Sequence, residues 1–352
     1  MWNRYVIRRK INSFSRRMSW RWAPMKPIRA WIIATNRCNL KCRHCPAHCP
    51  DWDVPPEKFE DMRPEVYERV KREIFPGLEE VYFSGGGEPF LAPVFYEMLD
   101  DLFRAGKRCW IITNGTIQKP EWIDRLVKTP SLLIVSIDGT TNEVMKRIRG
   151  VSLDRVLDFV QMAKEIRDRA SHPGFQLNIN WVVTRSNLEQ MVEAVELARR
   201  YGVVTLSFTN FEKFGRADEF ALTESLTDRP DLVLPHWNRA RDLAAKHGIN
   251  VPDIYFDCPQ KPEEERQEHQ PTIYESNGRI RQCPHPWWSV HVNTDGMIKP
   301  CCIYPDGVTM GNLAGQSFRE IWNGRKYQHL RRTVNTPNMP DICRRCFIPA
   351  RF

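Results

Sequence analysis

The sequence predicts an α/β protein built on a parallel sheet. Short β-rich runs alternate with longer helical patterns from residue 28 to residue 210, and several runs are apolar along their whole length. Residues that bear chemistry recur where the runs end. Strands buried on both faces read as continuous apolar runs, and parallel neighbours need a helical crossover between them.

Taken in order, the expected strands are "IRAWIIAT" (28–35), "EEVYFSG" (79–85), "RCWIITN" (108–114), "SLLIVSID" (131–138), "FQLNINWVVT" (175–184) and "VVTLSFTN" (203–210). Helical periodicity falls near 64–75, 91–105, 120–128, 152–169 and 187–201. Beyond residue 210 the pattern loosens: 211–235 is mixed, 236–247 reads as a helix, and "CPQKPEEERQEHQP" (258–271) suits an exposed connection. Cysteines then return at Cys283, Cys301, Cys302, Cys343 and Cys346, which reads as a second, metal-stapled domain. The expected organisation is an arm over 1–27, a main domain over 28–235, and a linker helix with the second domain over 236–352. Periodicity leaves open whether the sheet is open or curls towards a barrel. In either case chemistry collects at the strand ends.

An apolar fraction of 41% over 352 residues is ample for burial. No run of 18 uncharged apolar residues occurs, so no membrane-crossing helix is expected. Arginines interrupt every short hydrophobic stretch near the N-terminus, which leaves no export signal. With an odd count of eleven cysteines at short spacings, a reducing cytosol and metal binding are expected in preference to disulfides.

The net charge of +9 is unevenly placed: residues 1–30 hold nine Lys and Arg and no acid, leaving 43 basic and 43 acidic residues in the rest. The neutral body offers no basic track, so no nucleic-acid partner is expected. In the arm, Ile7, Ile11, Phe14 and Met18 form one helical stripe opposed by Arg8, Arg9, Arg16 and Arg17, with Trp20 and Trp22 following. Such a basic, tryptophan-rich helix resembles a segment lying on an anionic membrane, which would make the protein cytoplasmic and peripheral to the inner membrane face. The alternative is a helix capping the domain with its charges solvated.

Cys38, Cys42 and Cys45 stand as C-x3-C-x2-C on the loop leaving the first strand. A closed zinc site wants four ligands, and the nearest fourth is Cys49 or His48. Three thiolates also suit an iron–sulfur cube with one iron left open. Behind the second strand comes "SGGGEP", with Gly86, Gly87 and Glu88; the third ends in "TNG" and the fourth in "SIDG".

This ordered set resembles the radical S-adenosylmethionine (radical SAM) superfamily. The resemblance implies a partial (β/α)6 TIM-like barrel in which Cys38, Cys42 and Cys45 hold a 4Fe-4S cluster whose open iron binds S-adenosylmethionine. Reduction by an external one-electron donor such as flavodoxin or ferredoxin then yields a 5′-deoxyadenosyl radical that takes hydrogen from a substrate. It further implies His44 against the adenine, Gly86, Gly87 and Glu88 at the methionyl amino group, Ser136 and Asp138 at the ribose, and Arg149 at the methionyl carboxylate.

Out of context, Cys283, Cys301, Cys343 and Cys346 would satisfy a zinc ribbon. In context, the run "CPHPWWSVHVNTDGMIKPC" with "GNL" and "CRRC" resembles the C-terminal SPASM extension or its shorter twitch form. It implies one auxiliary 4Fe-4S cluster on those four cysteines, with Cys258 as a displaced ligand or a structural thiol. A fully ligated cluster cannot bind substrate and would instead accept an electron. The resemblance therefore implies oxidation of a sugar-like or other small-molecule substrate, or of a peptide; a membrane-bound arm would make a lipid-linked substrate attractive. Against a sulfatase-maturing enzyme, Cys302 stands where that type places an aspartate; against a peptide maturase, the arm is short for a recognition domain. Tyr304, Asp306, Cys302 and His285 are unranked candidates for a general base. The rival outside catalysis is a structural zinc protein with a membrane-docking arm.

Overall fold

The computed structural model describes residues 4–50, 60–170, 174–213, 216–254, 283–302, 304, 308–344 and 346, without the side chains of residues 4 and 5. One nine-stranded sheet runs through it in the order β6-β5-β4-β3-β2-β1-β7-β8-β9. The strands are β1 (Arg29–Ile32), β2 (Glu80–Phe83), β3 (Arg108–Thr113), β4 (Leu132–Ser136), β5 (Gln176–Val183), β6 (Thr205–Asn210), β7 (Ser289–Val292), β8 (Met297–Lys299) and β9 (Gly311–Asn312). β1 to β6 are parallel to their neighbours, as their sequence runs predict.

The helices are α1 (Arg4–Arg17), α2 (Pro64–Glu73), α3 (Phe95–Arg104), α4 (Pro120–Leu126), α5 (Asn142–Arg149), α6 (Leu153–Ala170), α7 (Met191–Arg200), α8 (Glu219–Glu224), α9 (Pro230–Lys246), α10 (His285–Trp288), α11 (Phe318–Trp322), α12 (Arg325–Thr333) and α13 (Asp341–Arg344). No helix among the described residues is long and apolar enough to cross a membrane. Alternate strand residues such as Ala30, Val81, Phe83, Ile111, Leu133 and Val135 are buried with Val70, Leu99, Leu126 and Phe159 of the helices. The intervening Trp31, Tyr82 and Trp110 are only half-buried and form a row of rings, Trp31 on Tyr82 at 4.5 Å and Tyr82 on Trp110 at 5.0 Å.

Two helices depart from expectation. α5 stands where no helix was expected; Thr141 caps it by accepting from the Val144 N–H at 3.3 Å. α9 begins at Pro230 rather than at residue 236, because proline's missing N–H costs nothing in a first turn. The expected boundary at residue 236 thus falls inside α9, which packs on α7 of the main body. The cysteine-rich C-terminal segment adds its strands to the same sheet. β7 pairs in parallel with β1, from Arg29↔Ser289 to Ile32↔Val292, and β8 and β9 continue the sheet antiparallel. Residues 258–271 lie outside the described residues.

Candidate active site

The ends of β1 to β4 make one rim. The loop after β1 is held at its base by the Thr35↔Asp61 bridge and by Met62 N–H donating to the Ala34 carbonyl at 2.9 Å. Further along, Arg43 N–H donates to the Ile148 carbonyl at 2.9 Å, which ties the cysteine turn to the end of α5.

Burial raises the pKa of Cys38 and Cys42, and the nearby Cys45 adds to both, with Cys38 adding to Cys42. Burial, the larger effect, pushes Cys42 up to about 12, against the pull of Arg149. A bare thiolate is therefore unfavourable here, and a bound cation would displace the proton. Cys38 accepts weak hydrogen bonds from Leu40 N–H at 3.5 Å and Asn114 Nδ2 at 3.8 Å. Asn114 is fixed by Asn39 and Thr116, at 2.9 Å and 2.6 Å.

Glu88 is 2% exposed, and burial raises its pKa to about 7. Its carboxylate accepts from Asn114 N–H at 2.7 Å, Thr113 Oγ1 at 2.9 Å and Phe90 N–H at 3.2 Å, tying the second loop to the end of β3. Gly87 N–H donates to the Thr35 carbonyl at 2.9 Å and Glu88 N–H to the Arg37 carbonyl at 2.8 Å. The glycines let two backbones meet: a methyl on Gly87 would overlap the Arg37 carbonyl oxygen, and one on Gly86 would overlap Ile33.

Arg149 and Asp138 form a buried pair at 2.6 Å. Burial works against the charge of Arg149, but Cys42 and Asp138 outweigh it and raise its pKa. Asp138 also accepts from Val182 N–H at 2.7 Å and faces His44 Nε2 at 3.6 Å, so it has a structural task whatever else it meets. Burial lowers the His44 pKa to about 4, which keeps the ring neutral, and Phe211 lies edge-on at 6.3 Å. Ser136 is buried at the end of β4 in register with Asn180.

Two buried atoms at this rim, His44 Nδ1 and Arg149 Nε, have no hydrogen-bond partner among the described residues. With three thiols on one turn, these orphaned atoms fit a site completed by a polar ligand and a cluster. The described His, Cys, Asp and Glu side chains include no group of three arranged to hold a single metal ion. A cube with iron at its corners accepts thiolates standing farther apart than one tetrahedral ion does.

The second cysteine set gathers at the opposite edge of the sheet. Cys283 precedes β7 and Cys301 follows the antiparallel β8, so both stand at the start of β1 rather than its end. Tyr304 joins them to the C-terminal pair: it hydrogen-bonds Cys343, and burial followed by Cys343, Cys301 and Cys283 raises its pKa. Burial raises Cys343 to about 11, with Cys346 adding to the effect. Asn335 accepts from Cys283 N–H at 2.8 Å. Of the base candidates, His285 is buried against Ser289 at 2.6 Å and kept neutral, Cys302 is exposed, and Tyr304 is engaged with thiols. Asp306 and Cys258 lie outside the described residues. Asn114, Asn39 and Thr116 went unremarked as individual residues because their part depends on contacts across three loops.

A largely parallel sheet packed against helices, a three-thiol turn at its rim and a second cysteine set at its far edge define an iron–sulfur enzyme of the partial-barrel class. Residues 32–172 match the radical SAM superfamily and residues 283–347 an iron–sulfur cluster-binding domain, SPASM. The chain thus carries a radical SAM domain followed by a C-terminal SPASM domain. Its cofactors are S-adenosylmethionine and 4Fe-4S clusters.

Among relatives, the chain is 25% identical over 299 residues to the antilisterial bacteriocin subtilosin biosynthesis protein AlbA of Bacillus subtilis, covering 84% of this chain but 60% of that one. It is 26% identical over 321 residues to the AdoMet-dependent heme synthase of Methanosarcina barkeri, covering 89% and 87% of the two chains. Its fold is similar to Streptococcus suis SuiB bound to S-adenosylmethionine, with a TM-score of 0.66 at 18% identity over 91% of this chain and 72% of that one.

Proposed function

We propose that this enzyme abstracts hydrogen from an organic substrate and completes an oxidation with the help of one auxiliary cluster. The carrying observation is that the two cysteine sets lie at opposite ends of the β1–β7 pair, at least the length of β1 apart, roughly 13 Å by strand rise. Between those ends, on β1, stands Trp31, whose ring stacks on Tyr82 of β2 at 4.5 Å.

In this reading Cys38, Cys42 and Cys45 hold the cluster that, with S-adenosylmethionine, supplies the 5′-deoxyadenosyl radical. Gly87 and Glu88 have already spent their N–H groups on Thr35 and Arg37, so the glycine run offers an ammonium its carbonyl oxygens. Glu88 holds that run in place. Arg149 offers its unpartnered Nε to the methionyl carboxylate, the neutral His44 ring meets the adenine, and Ser136 and Asp138 border the ribose. Cys283, Cys301, Cys343 and Cys346 hold the auxiliary cluster, whose four ligands leave it as an electron acceptor and relay.

A second reading, peptide maturation, is favoured by the similarity to AlbA, a bacteriocin biosynthesis protein. The experiment is anaerobic reconstitution followed by a strong reductant and S-adenosylmethionine. Formation of 5′-deoxyadenosine is expected, and its absence with both clusters intact overturns the proposal. Product two hydrogens lighter than substrate supports oxidation, whereas unchanged mass overturns it; pools of peptides and of small metabolites assayed separately decide the substrate class.

A further inference from the structure

We propose that α1 and the segment behind it form a docking face for an anionic phospholipid bilayer. An ordinary surface helix turns its apolar stripe inwards. α1 instead turns polar residues inwards: Asn12 and Ser15 are fully buried, Arg8 donates to the Pro76 and Lys26 carbonyls at 3.4 Å and 3.3 Å, and of the apolar stripe only Ile11 is half-buried. Outward stand Val6, Ile7 and Phe14, followed by Met18, Trp20 and Trp22, each between 41% and 56% exposed.

This exposure does not come from a loose segment. The Trp20 carbonyl accepts from the Trp287 indole at 2.9 Å, the Arg21 carbonyl from Arg331 at 3.1 Å, and the Met25 carbonyl from the Trp322 indole at 2.9 Å. Ala23 N–H donates to Asn323 Oδ1 at 2.9 Å. The fold thus spends buried donors to pin a backbone whose large side chains point to solvent, and Phe14 and Trp20 brace each other edge-to-face at 5.3 Å.

Charge selects the occupant. Arg17 and Arg21 are exposed among these apolar side chains, and residues 1–30 contain no acid. Aromatic and aliphatic groups beside one sign of charge match the boundary between acyl chains and anionic headgroups. The face lies at the start of the strands, where Arg9 pairs with Glu79 just before β2, so docking leaves the Cys38–Cys45 rim open.

The test is co-sedimentation of the full-length, cluster-loaded protein with vesicles of phosphatidylcholine, alone or mixed with phosphatidylglycerol. Binding to the mixed vesicles is expected, at least tenfold weaker to phosphatidylcholine alone and weakened by salt. The combined change Phe14→Ser, Met18→Ser and Trp22→Ser should reduce it at least tenfold. Arg17→Gln with Arg21→Gln should reduce it roughly 25-fold, about fivefold for each charge near the surface. Circular dichroism and iron content should stay at wild-type values in both variants, since every altered side chain is exposed. Absent vesicle binding, binding unchanged in the triple variant, or a self-association abolished by that variant without any vesicle binding each overturns the proposal. The readout is independent of turnover, so it stands or falls separately from the reaction proposed above.

Discussion

Gly87→Ala tests the claim that two loop backbones must touch for the cysteine turn to form. The new methyl would overlap the Arg37 carbonyl oxygen and lie 2.5 Å from its carbon and 2.7 Å from its nitrogen. Carbon–carbon contact is comfortable near roughly 3.5 Å, so the loops must part by about 1 Å. All three clashing atoms are backbone, and no rotamer relieves them. Parting strains the Gly87 N–H bond to Thr35 and the Glu88 N–H bond to Arg37, whose lengths are 2.9 Å and 2.8 Å. Losing both leaves donors and acceptors unsatisfied at a cost of about 3 kcal/mol. Arg37 immediately precedes Cys38, and a functional constellation tolerates displacements of only about 0.5 Å. The variant should therefore unfold at lower urea, by an amount equivalent to about 3 kcal/mol, and retain less than half of the wild-type iron and 5′-deoxyadenosine formation. Gly86→Ala is the control. Its nearest clash is with the Ile33 side chain, so Ile33→Ala should recover much of its loss. Full iron content and an unchanged midpoint in Gly87→Ala would refute the reasoning.

Two further outcomes follow from buried charge. Asp138→Asn leaves the Arg149 guanidinium buried without its counter-charge and should cost about 3–5 kcal/mol in denaturant unfolding of the cluster-free protein, whereas adding Arg149→Met should recover part of it. Arg331→Ala removes bonds to the Pro286 and Arg21 carbonyls and the stacking on Trp322 and Tyr327, at a cost of about 3 kcal/mol, and should speed tryptic cleavage at Arg21. Arg331→Lys should be intermediate, because an ammonium keeps the charge without the planar fork.

Much of the fold was legible because its signals are local. Each of β1 to β6 lies inside an apolar run, because one face of the strand is buried and the other is mostly half-buried. α5 was hidden because "NEVMKRIR" is short and mostly polar, and its start depends on the Thr141 cap. The join of β7 to β1 was hidden because register between strands some 260 residues apart leaves no mark in either. In the arm, periodicity found the stripe of Ile7, Ile11, Phe14 and Met18 but could not say which side of the helix meets the body, nor that Ile11 would be half-buried while the others stay exposed.

By itself the sequence determined the chemistry available: three thiols on one turn, a glycine run ending in an acid, four later cysteines, and a basic arm beside a neutral body. Spacing along a chain constrains ligand sets and helix faces over a few residues. Only the tertiary structure decided that Glu88 is spent on Thr113 and Asn114, that Asp138 holds Arg149, that the cysteine sets occupy opposite edges of one sheet, and that α1 faces outward with its apolar side. Those outcomes rest on contacts between segments distant in sequence, where burial and backbone pairing, rather than local preference, set the lowest free energy.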